Sequence, residues 1–172
     1  MSAIWMPAAW ASRIRGDDNM IREEIKHYVN ELHWHLPEET QQDAINWLVA
    51  NMPLNQLASV FPTYGKSYWQ NSVKVVMEIG YPYNIAAFPN MVELFQDLNW
   101  PGAEDAVQYF QTLEKQIVTP FLEGGGKQAM IEQDEQWLWF LYAVCERFQM
   151  DRADFRDGTV FDAMEETYAR DA

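Results

Sequence analysis

Apolar residues in this chain recur at three- and four-residue spacing between proline and glycine breaks, a rhythm that a helix converts into one buried stripe and a strand does not. Ile21, Ile25, Tyr28, Val29 and Leu32 form the first stripe, preceded by Asp17, Asp18 and Asn19 as candidate caps with favourable charge for a helix start. Pro37 as a first helical residue, Glu38 and Glu39 in the opening turn, and Ala44, Ile45, Leu48 and Val49 on one face predict a second helix closed before Pro53. The two pair as an αα-hairpin.

Residues 53–66 carry two prolines and a glycine and read as a short helical turn plus loop. Ser67-Tyr-Trp-Gln70 then has the form of a capping box. The following Val73-Lys-Val-Val-Met77 is β-branched and suits a strand, but the cap before it and Gly80 at a C′ position favour a helix. Met91, Leu94, Phe95 and Leu98 give one further stripe. Past Trp100-Pro-Gly102, Ala103, Ala106, Val107, Phe110 and Leu113 give another. A shorter helix through Ile117, Phe121 and Leu122 is expected to stop at Gly124-Gly-Gly126. A longer one follows through Trp137, Leu141, Val144, Cys145 and Phe148, and a last one through Val160, Phe161, Met164 and Tyr168, with Thr159 as its N-cap. No segment reads as a sheet, so the class is all-α.

At 172 residues the chain suits one domain, with residues 1–18 as an irregular N-terminal extension. Phe88-Pro-Asn-Met-Val-Glu-Leu-Phe95 and Thr119-Pro-Phe-Leu-Glu123 form a short internal repeat, a spacing that suits stacked helix pairs. Gly80-Tyr-Pro82 and Leu94-Phe-Gln-Asp-Leu-Asn-Trp-Pro-Gly102 resemble the hallmark of a small bacterial HEAT-like family, over residues 68–145. The resemblance implies antiparallel helix pairs stacked as a compact HEAT-like α-α superhelix that binds partners, with no catalytic residues to carry over. Similar small proteins occur as immunity proteins beside polymorphic and contact-dependent inhibition toxins. The Trp-rich N-terminal extension and the acidic C-terminal helix depart from the family pattern, and partner specificity is expected there.

Charge narrows the partner. Twenty-six acids against 12 bases leave a net charge of -14, which repels nucleic acid and anionic membranes and speeds encounter with a basic protein. The excess is spread: residues 1–127 carry 15 acids and 8 bases, residues 128–172 carry 11 and 4. An acidic surface also serves solubility alone. The single cysteine rules out an intrachain disulfide, the N-terminal segment makes a poor signal peptide, and no apolar run approaches a membrane span, so a cytoplasmic setting is expected.

The catalytic and metal motifs fail on spacing. Gly124-Gly-Gly-Lys127 is followed by Gln128 where a phosphate loop needs Ser or Thr, and Phe121 stands where it needs its first Gly. His33-Trp-His35 has no cysteine pair beside it and no third local histidine except His27, one helical face away, and Asp151, Asp154 and Asp157 do not alternate as a calcium loop requires. Cys145 on an apolar stripe reads as a small hydrophobe. Adjacent carboxylates such as Glu165 and Glu166 diverge on a helix. No cofactor and no enzymatic role are expected. What stands out is Trp137-Leu-Trp139 beside Glu132, Asp134 and Glu135, the pattern of aromatic anchors within a charged patch. Those residues, with Asp97, Asn99, Glu104 and Asp105 around the inter-helix turn, are the candidate partner-binding set. The leading expectation is an immunity protein that covers the basic active-site surface of a cognate toxin, a nuclease by the logic of phosphate binding. The alternatives are a general HEAT-like scaffold and, last, a small hydrolase or sugar-binding protein using Trp and Glu residues.

Overall fold

The computed structural model describes the backbone of residues 18–171 and the side chains of residues 22–170. The apolar N-terminal segment, and the caps and first stripe residue expected at Asp17, Asp18, Asn19 and Ile21, have side chains outside that range. The chain is all-α, and no strand forms among the described residues. It divides into two compact units, Met1–Ala87 and Phe88–Ala172. The boundary falls inside the expected 68–145 core.

In the first unit, α1 (Asp18–Glu31) and α2 (Glu38–Asn51) pack on each other, and α3 (Trp69–Ile79) packs on α2. Ile25, Val29, Leu32, Ala44, Ile45 and Leu48 are the buried face that the spacing marks out. Tyr28 stacks on Trp47 with ring centroids 4.2 Å apart, adding an aromatic contact between α1 and α2. Pro37 sits one residue ahead of the helix, at the cap, and not at its first position. The α1–α2 link is tied by buried Asn71, whose amide donates to the Leu32 carbonyl (2.8 Å) and to Gln41 Oε1 (2.7 Å).

The capping box expected at Ser67–Gln70 does not form. A 3₁₀ turn (Lys66–Tyr68) runs directly into α3, whose cap position is Tyr68 with no side-chain bond. Tertiary hydrogen bonds hold this segment without capping the helix: the Trp34 N–H donates to the Ser67 carbonyl (3.1 Å) and the Trp69 indole to the Pro62 carbonyl (2.9 Å). Gly80 ends α3 at φ 74°, a conformation favouring glycine, and its carbonyl accepts from Tyr83 and Asn84 across the cis Tyr81–Pro82 bond.

The second unit holds α4 (Phe88–Glu93), which tightens into a 3₁₀ turn over Leu94–Gln96, then α5 (Ala103–Gln111), α6 (Lys115–Glu132), α7 (Glu135–Arg147) and α8 (Gly158–Asp171). Leu98 therefore lies beyond the helix predicted to include it. The largest departure is α6. Gly124-Gly-Gly126 does not stop a helix: α6 continues through Pro120 and all three glycines to Gln133, which takes the left-handed conformation (φ 58°).

Packing explains the glycines. α6 lies against α4, α7 and α8. A Cβ on Gly125 would stand 2.5 Å from Val92 Cγ1 of α4, and one on Gly126 would stand 2.5 Å from Val160 Cγ1 of α8. The helices approach closer than any side chain allows, so glycine is required for proximity. The two halves of the internal repeat are consequently not equivalent, since Pro89 opens a short helix and Pro120 lies within a long one. At α8, Thr159 is not the cap. Asp157 Oδ1 accepts from the Thr159 hydroxyl (2.6 Å) and N–H (3.2 Å) ahead of the helix.

Candidate functional site

Pro120, Gly124, Gln128 and Glu132 fall every fourth residue along α6 and so form one ridge. Opposite them stand Pro89, Val92 and Glu93 of α4, with Gln96 just beyond, and the two rows bound a cleft of about 420 Å³. Phe121, Gly125 and Trp137 complete its wall. The cleft exists because the ridge is bare at its middle: a Cβ at Gly124 would meet nothing within 4 Å. Its charged lining is wholly acidic, Glu93 and Glu132, accompanied by two amides. Gln128 Nε2 donates to Glu132 Oε1 at 2.5 Å, orienting that carboxylate.

Trp137 is 2% exposed, and its indole Nε1 has no hydrogen-bond partner among the described residues. A buried donor left unmade costs about 1–3 kcal/mol. Cζ2 of the same ring, two bonds from Nε1, lies 3.6 Å from a Cβ placed on Gly125. The backbone N–H of the same residue is satisfied by Asp134 Oδ1 at 2.9 Å, the N-cap bond that starts α7.

The residues expected to bind a partner thus separate by role. Glu132 and Trp137 line the cleft. Asp134 caps α7, and Glu135 pairs with Arg170 of α8 at 3.2 Å. Trp139 is half-buried against Phe140 and Tyr168, with centroids 5.2 and 5.1 Å apart. Asp97 Oδ1 accepts from the Asn99 N–H (2.9 Å) and amide (3.0 Å), so this pair shapes the turn before α5. Glu104 pairs with Arg147 at 2.7 Å; that hydrogen bond holds its pKa below the ordinary carboxylate value, while Asp105 is half-buried in the first turn of α5.

A second aromatic group lies where α7 meets α8. Tyr142 packs on Tyr168 (4.8 Å) and Phe161 (5.6 Å) and donates to Glu165 at 3.3 Å. Burial, then the neighbouring Glu165 and Glu146 charges, raise its pKa. Glu123 is a buried carboxylate, 7% exposed, and accepts from Lys127 (2.6 Å) and from the N–H groups of Arg156 (2.9 Å) and Asp157 (3.3 Å). Burial pushes its pKa up, but the three hydrogen bonds together outweigh that and leave it lowered. It ties the segment before α8 to α6.

Cys145 is fully buried, and burial, followed by the Asp154 charge, pushes its thiol pKa up to about 12. It is protonated at neutral pH and shielded from reagents. Among the described residues no three His, Cys, Asp or Glu side chains cluster as metal ligands. His33 Nδ1 instead accepts the His35 N–H at 3.1 Å. No helix among the described residues is long and apolar enough to cross a membrane.

Sequence reasoning misses Glu93, Gln96, Phe121, Gly124, Gly125 and Gln128: reading the glycines as a stop breaks the α6 wall that holds the last four, and Glu93 and Gln96 face it from a distant stretch of sequence. The signal is present nonetheless: Val118, Leu122, Gly125, Gly126 and Ala129 keep a three-to-four spacing of apolar and small residues straight through the glycines. Compared with protein families, curated proteins and solved structures, the chain matches none.

Proposed function

We propose that the protein is an immunity-type inhibitor, which binds a basic protein partner through the acidic surface of its second unit and neutralises a cognate toxin. One observation carries this reading. Residues 88–172 hold 17 acids against six bases. Five of those bases are paired with acids of the same unit: Lys115 with Asp154, Lys127 with Glu123 and Asp157, Arg147 with Glu104, Arg152 with Asp162 and Arg170 with Glu135. The bases are therefore drawn into the fold's own contacts, and the surplus of carboxylates, including exposed Glu93, Glu114, Glu132, Glu146 and Glu166, faces outward.

An outward acidic field accelerates encounter with a basic surface and repels nucleic acid. A toxin acting on phosphates, a nuclease above all, presents such a surface at its active site. The inhibitor would cover that site and engage its Lys and Arg groups in place of substrate. The test is co-expression with the product of the gene immediately beside its own. Co-purification and loss of that product's toxicity support the reading; absence of both binding and protection defeats it.

A scaffold role draws support from the end of α6, where Ile131 is 76% exposed beside exposed Met130. Salt separates the two: a charge-steered complex forms more slowly as ionic strength rises, while an apolar contact through Ile131 barely responds.

A further inference from the structure

We propose that the cleft between α4 and α6 is the pocket that takes one arginine or lysine side chain of the partner, with an adjoining main-chain carbonyl accepting a hydrogen bond from Trp137 Nε1. This rests on the reading of the protein as a binder of a basic partner, and names where on the second unit that binding is anchored.

Three features converge on such a ligand. The wall is divided between apolar surface from Pro89, Val92 and Phe121 and carboxylates from Glu93 and Glu132. Arginine and lysine have the same division, an apolar stem and a cationic head. The carboxylates sit on opposing helices, so a head inserted between them meets acceptors from both sides, and among the described residues no basic side chain lines the cleft to compete.

Independently of the acids, the cleft wall contains a donor in need of an acceptor. Trp137 lines the cleft but is buried, its Nε1 is unpartnered among the described residues, and Cζ2 of the same ring comes within 3.6 Å of a Cβ placed on Gly125. Buried indole N–H groups usually find a partner within their own fold. Among the described residues none is supplied, and a carbonyl oxygen entering along the bare backbone at Gly124 would serve. A ligand with both a cation and a nearby neutral acceptor is what a basic residue within a peptide chain presents.

The probe is Nα-acetyl-L-arginine N-methylamide, which carries one guanidinium and two carbonyls, against its citrulline counterpart, which keeps the shape and lacks the charge. Titrated into the ¹⁵N-labelled full chain, the arginine probe moves the Trp137 indole crosspeak, identified by its absence in Trp137→Phe, to a saturating end point. Affinity falls about tenfold for the citrulline probe and for Glu132→Gln, the size expected from losing one charge-assisted contact. Gly124→Leu abolishes the response, because its side chain occupies the cleft while its Cβ meets no neighbour and the fold is kept. An unmoved crosspeak, equal affinity for the two probes, or a full response in Gly124→Leu overturns the inference.

A decapeptide of alternating arginine and glycine separates this from the broader reading. If it binds wild type and Gly124→Leu alike, the acidic surface binds bases and the cleft is not the anchor. If it binds neither, both ideas fall. Loss of peptide affinity confined to Gly124→Leu and Glu132→Gln supports the pocket.

Discussion

Replacing each glycine of α6 by alanine in turn separates local propensity from helix contact. Within a helix, Gly→Ala stabilises by about 0.5–1 kcal/mol through backbone entropy. At Gly124 nothing opposes that gain, since the new Cβ meets no atom within 4 Å. At Gly125 and Gly126 the Cβ lands 2.5 Å from a valine Cγ1, on Val92 and Val160 respectively. Valine is stiff about its first torsion and cannot swing aside, so the helices must separate, at a cost of about 1–3 kcal/mol for overpacking. The expected outcome is Gly124→Ala more stable by about 0.5–1 kcal/mol, and the other two less stable by roughly 0.5–2 kcal/mol after the propensity gain is subtracted. Urea unfolding followed by far-ultraviolet circular dichroism reads these as midpoint shifts at constant slope. With two compact units, the value is taken from the transition that the substitutions move. Adding Val160→Ala to Gly126→Ala removes the colliding methyl and should recover part of the loss, a coupling of about 0.5–3 kcal/mol. If all three alanines stabilise equally, the close approach of α6 to α4 and α8 is not what selects glycine at these positions.

Asp134→Ala removes the side-chain acceptor for the Trp137 N–H and should cost about 0.5–2 kcal/mol in the same assay, while Asp134→Asn, which keeps an acceptor, costs less. Glu123 has a lowered pKa in the fold, so the stability it contributes is fully present above the ordinary glutamate value of about 4.3 and is lost as pH falls through the lower folded value. Glu123→Gln should flatten the acid side of the stability–pH curve; an unchanged curve would mean that Glu123 gains nothing from its three donors. Cys145, buried with a thiol pKa of about 12, should react with a disulfide reagent at pH 8 only as fast as the unit opens, and immediately in urea. Rapid modification of the folded protein would contradict its burial.

Most helices are legible in the sequence because their signal is local and repeated. The buried faces of α1, α2, α5 and α7 are the residues that the three-to-four spacing selects, and Gly80 ends α3 with the positive φ that suits a C-terminal glycine. Caps are less legible. Ser67 and Thr159 have the right chemistry, but a 3₁₀ turn and the Asp157 carboxylate take those places, since several nearby polar groups compete for the same few N–H donors. In the candidate site, Glu132 and Trp137 stand out through their proximity in sequence, whereas Glu93 and Gln96, over thirty residues away, do not.

What the sequence determined alone is the helical class and the acidity, because periodicity and charge are properties of the chain whatever it packs against. Tertiary structure decided the meaning of Gly124-Gly-Gly126. Read locally, three glycines forfeit a few kcal/mol of helix propensity and end a helix. In the fold, two of them let α6 touch α4 and α8, and the third leaves a cleft beside a buried indole. Burial of neighbouring side chains outweighs the lost propensity, and no window of sequence contains both sides of such a contact.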